Sequence, residues 1–261
     1  MKYRKINLVY FSATGTTSRI VSAIADATNI PERNNYNLLS CPDESISIPD
    51  DEFVIFGVPV FSGRIPAVSV ERISRFTGNQ TPAIIVCVYG NRDFEDALSE
   101  LRDIVSANGF RIISAAAFIG QHSIFPKVAN GRPDAKDLQI ANEFGKKSIA
   151  YCLNKESKGE QMTLSIRGNK IYRAIKSIPL KPKTSKKCHA CGICAQQCPS
   201  NAIDPDKPHK IDKDLCISCA HCIAVCPQNA RYFGGLLYKF ASGQFSKKYA
   251  QRQEPYIAEY V

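Results

Sequence analysis

Eight of the eleven cysteines fall into two runs of identical spacing, and they are the residues of this chain best suited to chemistry. Each run reads C-x2-C-x2-C-x3-C-Pro, and the second begins twenty-eight residues after the first. Cysteine thiolates hold iron–sulfur clusters, and two-residue gaps let consecutive thiolates curl around one cluster. The first run comprises Cys188, Cys191, Cys194 and Cys198, and the second comprises Cys216, Cys219, Cys222 and Cys226.

Zinc and disulfides are the alternative uses of such cysteines. Zinc binds two pairs of C-x2-C cysteines, whereas each run here has three cysteines at two-residue gaps plus a fourth. Disulfides need an oxidising compartment, but Met1–Lys5 leads into an apolar strand without a secretory signal. Both runs also end in Cys-Pro-x-Asn-Ala, where the proline prevents a helix from continuing regularly. Iron–sulfur ligation is therefore favoured, and because exposed clusters are oxygen-sensitive we expect an anaerobic, cytoplasmic setting.

The two runs resemble those of bacterial two-cluster ferredoxins, which are small α+β domains with two [4Fe–4S] clusters. In that family the fourth cysteine of each run ligates the other cluster. The resemblance therefore implies crossed ligand sets. One cluster would be held by Cys188, Cys191, Cys194 and Cys226. The other would be held by Cys216, Cys219, Cys222 and Cys198.

The first 150 residues alternate apolar runs with segments of helical periodicity, and these elements must position any site in this half. Five strands alternating with helices predict an open α/β sheet, in which ligands bind beyond the carboxyl ends of the strands. The predicted strands are Lys5–Tyr10, Tyr36–Leu39, Phe53–Val58, Ala83–Val88 and Phe110–Phe118. The predicted helices are Thr17–Ala27, Phe94–Ala107 and Ala135–Leu153.

A hydroxyl-rich loop follows the first predicted strand and runs into a helix. Free backbone N–H groups and the helix dipole at such a point favour an anion. The loop has no lysine, so it differs from the triphosphate-binding P-loop, and the G-x-G-x-x-G dinucleotide fingerprint is also missing. An uncharged cradle suits a terminal phosphate, although the same residues would also cap a helix without any ligand. The candidate phosphate residues are Ser12, Thr14, Gly15, Thr16 and Thr17.

Two more loops follow later strands, and each offers glycine for close approach and an aromatic side chain for a flat ring. Together the three loops resemble those of flavodoxin-like FMN proteins, over roughly residues 3–153. The resemblance implies a five-stranded parallel sheet of order 2-1-3-4-5, with FMN phosphate on the first loop. One departure is that the chain contains no tryptophan, which leaves the stacking partner of the flavin open. The candidate ring residues are Phe61, Ser62, Gly63, Tyr89, Gly90, Asn91 and Arg92.

The combination of these two halves resembles the flavodoxin–ferredoxin fusion proteins, or EFR-type ferredoxins, of anaerobic microbes. The implied role is an electron-transfer flavoprotein that moves electrons between two [4Fe–4S] clusters and FMN, and on to a partner. Whether the protein is also an enzyme stays open. A flavin-dependent reductase of a quinone or nitro compound and a ferredoxin with an empty docking domain are the alternatives. The predicted domains are residues 1–153 and 188–230, with a linker at 154–187 and an extension at 231–261.

The net charge of +10 is placed unevenly along the chain. Residues 1–152 carry 16 basic and 16 acidic residues, whereas residues 153–261 carry 18 and 8. Part of this excess offsets the negative clusters. The remainder either forms a solvated linker, which we favour, or steers an acidic redox partner. No nucleic-acid motif accompanies the charge, and no apolar run reaches the length of a membrane span. The linker lysines are Lys181, Lys183, Lys186 and Lys187.

Three further features have weaker signals. The long connection Gly120–Pro133 has the length of a lid or binding loop, and His122 and Arg132 within it could position an acceptor. A lone histidine is more often simply a hydrogen-bonded residue, which is the interpretation we favour. The segment Arg231–Val261 is rich in tyrosine and phenylalanine, and we expect it to wrap back onto the first domain. The spare cysteines, expected to be chemically inert, are Cys41, Cys87 and Cys152.

Overall fold

The computed structural model describes residues 2–40, 43–160, 163–169, 171–175 and 178–260. In chain order the strands are β1 Lys5–Tyr10, β2 Glu32–Asn37, β3 Ile46–Ile48, β4 Glu52–Pro59, β5 Phe76–Gly78, β6 Thr81–Tyr89, β7 Phe110–Ile119, β8 Leu164–Ser165, β9 Lys183–Thr184, β10 Arg231–Tyr232, β11 Tyr256–Ile257 and β12 Glu259–Tyr260. The helices are α1 Thr16–Asp26, α2 Ala67–Ile73, α3 Ala97–Ala107, α4 Ala135–Lys158, α5 Ile193–Gln196, α6 His221–Ala224 and α7 Leu236–Lys248. No described helix is long and apolar enough to cross a membrane.

The central sheet has the order β11-β7-β6-β4-β1-β2. Strands β2, β1, β4, β6 and β7 run parallel to one another. Counted among themselves, they have the order 2-1-3-4-5 of the flavodoxin-like fold, so this prediction is confirmed. The sixth strand, β11, was not predicted. It comes from the C-terminal extension and pairs antiparallel with the outer edge of β7.

Two apolar layers cover the sheet because consecutive side chains of a strand point to opposite faces. On β4, Phe53 and Ile55 pack with α1 and α4, whereas Val54 and Phe56 pack on the opposite face with α3. All four side chains are fully buried. A strand buried on both faces needs a continuous apolar run, which explains why the central strands could be predicted from sequence.

Several predicted boundaries differ from the observed ones, for local reasons. Strand β2 begins at Glu32, before the predicted Tyr36. The earlier start could not be predicted, because this largely exposed edge strand has no apolar run to mark it. Helix α3 begins at Ala97 and not at Phe94, since the Asp93 carboxylate accepts the Phe94 amide in a turn. Helix α4 continues beyond Leu153 to Lys158. The sequence also gave no prediction for α2.

The C-terminal extension wraps back onto the first domain, as predicted. Strand β12 pairs with β8, and the Tyr260 ring stacks on Tyr151 with centroids 3.6 Å apart. Helix α7 packs on the Gly120–Pro133 connection, where Phe125 lies 4.7 Å from Phe245 and 5.8 Å from Tyr238 between ring centroids. The extension therefore covers both the sheet edge and the long connection.

The segment predicted as a linker, residues 154–187, contains paired structure in its described parts. Strand β9 pairs antiparallel with β10, and the amides of Asn169 and Arg173 donate to the Asp96 carboxylate at 3.0 and 2.8 Å. Two of its described apolar residues, Ile171 and Leu180, differ in exposure. Ile171 is 88% exposed, whereas Leu180 packs beside the α7 aromatic residues. This segment is thus partly anchored to the first domain.

Candidate functional site

A cleft lies at the carboxyl ends of four parallel strands, where the fold rule places ligands. The loops that follow β1, β4, β6 and β7 form its walls. A cysteine from the second cysteine run completes it. The lining residues are Ala13, Thr14, Thr16, Thr17, Pro59, Val60, Phe61, Val88, Tyr89, Gly90, Gly120, Gln121, His122, Ser123 and Cys219.

The first loop presents unused backbone donors to this cleft. Among the described residues, no protein acceptor bonds the amides of residues 14–17. Gly15 adopts a φ of 84° at the start of α1, a left-handed conformation that favours glycine. Ser12 has a structural role, because its Oγ accepts the Ser18 amide at 3.1 Å. The loop therefore has the geometry of an anion cradle, and three predicted phosphate residues, Thr14, Thr16 and Thr17, line the cleft.

The second loop closes a tight turn beside the cleft. Phe61 and Arg64 exchange two backbone hydrogen bonds, at 2.8 and 3.2 Å. Ser62 and Gly63 between them have φ values of 54° and 81°, as the central residues of a type I′ turn require. Phe61 lines the cleft, whereas Ser62 and Gly63 do not. The turn orients the Phe61 ring. The left-handed backbone conformation at Gly63 requires glycine whether or not a ligand is present.

The third loop divides its predicted ring residues in the same way. Tyr89 and Gly90 line the cleft. Asn91 is buried, and its side-chain amide donates to the carbonyl groups of Tyr249 and Gln251 at 2.9 and 2.7 Å. Arg92 forms an ion pair with Glu95. These two residues therefore hold the C-terminal extension and the loop itself, and neither lines the cleft.

The fourth loop contributes His122 to the cleft wall. Its Nδ1 accepts the amides of Ile124 and Phe125, both at 3.2 Å, so the neutral ring carries its proton on Nε2. Burial and the nearby Arg92 charge lower the pKa of His122 to about 4. The sequence analysis named this connection as a possible binding loop but favoured a simple hydrogen-bonding role for His122, whereas the structure places His122 in the cleft lining.

Arg132 lies away from the cleft lining, contrary to the idea that it positions an acceptor. Its guanidinium is 5% exposed and pairs through two hydrogen bonds with the buried Asp137 carboxylate. It also donates to the carbonyl oxygen of Gln253 at 2.7 Å. Arg132 therefore links the start of α4 to the C-terminal extension.

The first predicted set of cluster ligands surrounds a single cavity. No three of the described His, Cys, Asp or Glu side chains converge closely enough to hold one metal ion. The four cysteines enclose a space, and Arg231 lines it with them. Cys191 is exposed and Cys194 is buried, so this site lies near the surface. The four cysteines of the cavity are Cys188, Cys191, Cys194 and Cys226.

The second predicted set contains two buried thiols, Cys219 and Cys222. Burial raises the pKa of Cys219 to about 12, and the thiols of Cys222, Cys198 and Cys216 act in the same direction. Burial also raises the pKa of Cys222 to about 12. Buried thiols that interact electrostatically in this way require a cation to become thiolates. This set therefore has the donor chemistry of an iron–sulfur site.

The repeated sequence Cys-Pro-x-Asn-Ala forms the same turn twice. The amide of Ala202 donates to Cys198 Sγ at 3.3 Å, and the amide of Ala230 donates to Cys226 Sγ at 3.2 Å. Asn201 and Asn229 both have a left-handed φ, of 52° and 48°, which asparagine tolerates better than most residues. Backbone N–H bonds to sulfur stabilise a thiolate. The two cysteines are therefore held in the same way, each with a backbone N–H bond to its sulfur.

The two halves of the chain meet at the cleft. Cys219 packs into the core of the first domain as well as lining the cleft. Two residues later, His221 Nδ1 lies 2.8 Å from the carbonyl oxygen of Ala13 in the first loop. The second cysteine set thus contacts the wall of the cleft through Cys219, whereas the first set includes the exposed Cys191.

The spare cysteines and the linker lysines complete the set of predicted residues. Cys87 is fully buried in β6, and Cys152 is buried with its Sγ 3.3 Å from the Tyr3 hydroxyl oxygen. Cys41 lies outside the described residues. Lys181 donates to the carbonyl oxygen of Cys216. The other linker lysines are exposed, namely Lys183, Lys186 and Lys187.

The C-terminal part of the chain matches known proteins in sequence. Residues 160–231 match the family model of a 4Fe-4S dicluster domain. A ferredoxin of Alicyclobacillus acidocaldarius subsp. acidocaldarius is 54% identical over 41 residues, which are 15% of this chain and 51% of that protein. The chain thus spans about half the length of this curated relative.

Solved structures resemble the first domain only loosely. A flavodoxin mutant of Fusobacterium nucleatum bound to flavin mononucleotide is 17% identical, with a TM-score of 0.41, over 59% of this chain and 97% of that one. A WrbA-like flavodoxin of Agrobacterium tumefaciens is 14% identical, with a TM-score of 0.41, over 58% and 98%. The flavodiiron core of Flv1 from Synechocystis sp. PCC6803 is 16% identical, with a TM-score of 0.42, over 59% and 37%. The strand order, and not these similarities, establishes the fold.

Proposed function

We propose that this chain, which combines a flavodoxin-like domain with a ferredoxin-type 4Fe-4S domain, is an electron-transfer protein. It holds FMN in the cleft and two [4Fe–4S] clusters, and electrons pass between these groups and an outside partner. The observation that carries the proposal is the position of Cys219. This predicted cluster ligand also lines the predicted flavin cleft, so one protein wall serves both sites.

The residues of the cleft suit the parts of FMN. The free amides of residues 14–17 and the hydroxyl groups of Thr14, Thr16 and Thr17 bind the phosphate. Phe61 and Tyr89 border the ring, with Gly90 allowing the backbone to approach it and His122 on the fourth side. Once bound, FMN takes up one or two electrons and each cluster takes up one.

The ligand sets define an inner and an outer cluster site. The inner set, Cys198, Cys216, Cys219 and Cys222, shares the cleft wall through Cys219. The outer set, Cys188, Cys191, Cys194 and Cys226, has an exposed cysteine, Cys191. We propose that the outer site exchanges electrons with the partner and the inner site exchanges them with FMN.

The partner we propose is an acidic redox protein. A groove beside the cluster domain is lined by Lys181, Lys183 and Lys213, together with the apolar side chains of Leu236 and Leu237. The two leucines are 87% and 62% exposed. A basic rim around apolar contacts complements an acidic surface and speeds encounter at low ionic strength.

A reductase of a small acceptor, with Gly120–Pro133 as a moving lid, receives less support from the structure. The connection is packed beneath α7, since Phe125 contacts both Tyr238 and Phe245 and the Tyr238 hydroxyl group donates to the Ile124 carbonyl oxygen at 3.1 Å. Opening a lid would break these contacts. The carrier role needs no such movement.

The proposal is tested first by cofactor content and redox titration. Because we also propose an anaerobic, cytoplasmic setting, the protein is purified without oxygen and its iron, acid-labile sulfide and FMN are measured. We expect about eight irons, as two clusters of four require, and one FMN that becomes reduced through the clusters. Eight irons without flavin, and no uptake of added FMN, would leave a ferredoxin with an empty docking domain. Steady turnover of a quinone or nitro compound would favour the reductase.

The connection through Cys219 is tested with two cysteine variants. Cys219→Ser removes a ligand from the inner site, and we expect it to slow the reduction of bound FMN by electrons entering at the outer site. Cys87→Ala is the matched control, because Cys87 is buried in the sheet and lines neither site. Equal FMN reduction rates in both variants, after iron content is compared, would contradict the proposed route.

A further inference from the structure

Arg231 is a buried cation with incomplete hydrogen bonding. Arg231 is only 3% exposed. Nη2 donates to Cys194 Sγ at 3.4 Å and to the Pro208 carbonyl oxygen. Within the described parts of the chain, Nε and Nη1 are buried and find no acceptor. An arginine cannot lose its charge in a protein, and leaving its N–H groups bare in the interior is costly. An anionic group close to Nε and Nη1 would satisfy these buried donors.

The surroundings of Arg231 indicate where that group lies. The residue lines the same cavity as the four outer cysteines. Its Nη2 lies 3.4 Å from the Sγ of Cys194, one of those four. Arg231 therefore contacts the outer ligand set directly.

We propose that Arg231 is the buried counter-charge of the outer cluster and that its free N–H groups donate to that cluster. The inference rests on the proposed function, since it assumes clusters at these cysteines. A [4Fe–4S] cluster with four thiolates is negatively charged, and reduction adds one more negative charge. A fixed cation and N–H donors stabilise the reduced form more than the oxidised form. Arg231 is thus a positioning and tuning residue that raises the reduction potential of the outer cluster above that of an otherwise identical site.

A purely structural role is the competing explanation. Arg231 lies in β10, which pairs with β9, and its bond to the Pro208 carbonyl oxygen would by itself brace the surrounding turns. Such a role depends on the shape and hydrogen bonding of the side chain, whereas the proposed role depends on its positive charge. Reduction potentials separate the two explanations, because a purely structural contact would not stabilise one oxidation state of the outer cluster more than the other.

The experiment compares three variants of the full chain with the wild type. Arg231→Met removes the charge at similar length, Arg231→Lys retains the charge, and Lys210→Met removes an exposed charge of the same domain as a control. Iron and sulfide are counted, and both cluster midpoint potentials are measured by anaerobic titration followed by electron paramagnetic resonance. We expect Arg231→Met to lower one midpoint by at least 59 mV, a tenfold change in a one-electron equilibrium. The other midpoint should move less, and Arg231→Lys and Lys210→Met should stay close to wild type.

Every outcome bears on the proposal. If Arg231→Met loses four irons and Arg231→Lys retains them, the charge is needed even for assembly of the outer cluster, and the proposal holds. If Arg231→Met keeps eight irons with both equilibria changed less than twofold, the proposal is overturned. It is also overturned if Arg231→Lys behaves like Arg231→Met, because the charge would then be irrelevant. A wild-type protein without eight irons would instead refute the proposed function, before any variant is compared.

Discussion

Flavin binding should depend steeply on the phosphate of FMN, because the first loop offers that group unused donors. Among the described residues, the amides of residues 14–17 have no protein acceptor, so hydrogen bonds to the phosphate would replace none within the protein. A hydrogen bond to a charged group contributes about 1.5–3 kcal/mol. If two of the four amides reach the phosphate, FMN should bind more tightly than riboflavin by about 3–6 kcal/mol, or roughly 10²- to 10⁴-fold in Kd.

The assay is a fluorescence titration of flavin-depleted protein with FMN and with riboflavin. Gly15→Ala tests the loop itself. Its φ of 84° is left-handed and no atom lies within 4 Å of an added Cβ, so the change introduces about 1–2 kcal/mol of backbone strain without a clash. Relief of this strain would turn the loop away, and we expect FMN to bind about 5- to 30-fold more weakly.

Gly159→Ala is the matched control for this loop variant. Gly159 also has a left-handed φ and open space around it, but it ends α4 and does not line the cleft. It should lower stability by a similar amount and leave the Kd for FMN unchanged. The reasoning fails if riboflavin binds about as tightly as FMN. It also fails if both glycine variants weaken FMN binding equally.

Three further predictions concern stability and are measured by urea unfolding. Arg132→Met should reduce the free energy of unfolding by at most about 3–5 kcal/mol, because the buried Asp137 carboxylate loses its nearest cation and keeps only Arg252 at 3.3 Å; a loss of FMN affinity at unchanged stability would contradict this role. Burial lowers the pKa of His122 to about 4 in the folded protein, so on acidification the unfolded chain takes up this proton first. Stability should therefore fall by at most about 3 kcal/mol from pH 6.5 to pH 4. His122→Gln should reduce that slope, and an unchanged slope would show that other groups cause it. Gly145→Ala should cost about 1–3 kcal/mol, since a Cβ there would collide with the Ile24 carbonyl oxygen where α4 packs on α1; wild-type stability would show that the helices separate freely.

Local signals in the sequence were sufficient for the parts of the protein that depend on short stretches of chain. The buried strands β1, β4, β6 and β7 each carry an apolar run, so they could be predicted individually. The cysteine spacing predicted two iron–sulfur ligand sets because each run supplies its first three thiolates locally. The hydroxyl-rich loop before α1 was likewise visible as a candidate anion site, since the residues that form it are consecutive.

Contacts between distant segments were decided by the tertiary structure. The sequence ranked Asn91 and Arg92 with the ring residues, yet Asn91 holds the C-terminal extension and Arg92 pairs with Glu95. Strand β11 has only two residues, too few for any periodicity, and it forms because β7 offers an unpaired edge.

No local sequence pattern predicted how the two halves of the chain pack together. Cys219 meets the cleft only because the second domain folds against the loops of the first, whereas Arg231 meets the outer cysteines because β10 folds back beside them. Spacing specifies which side chains are available along the chain, and it carries no information about which distant residues share a wall. The sequence by itself therefore determined the sheet and the candidate cluster ligands, whereas tertiary packing decided that Cys219 adjoins the cleft and that the buried Arg231 lies beside the other candidate cysteines.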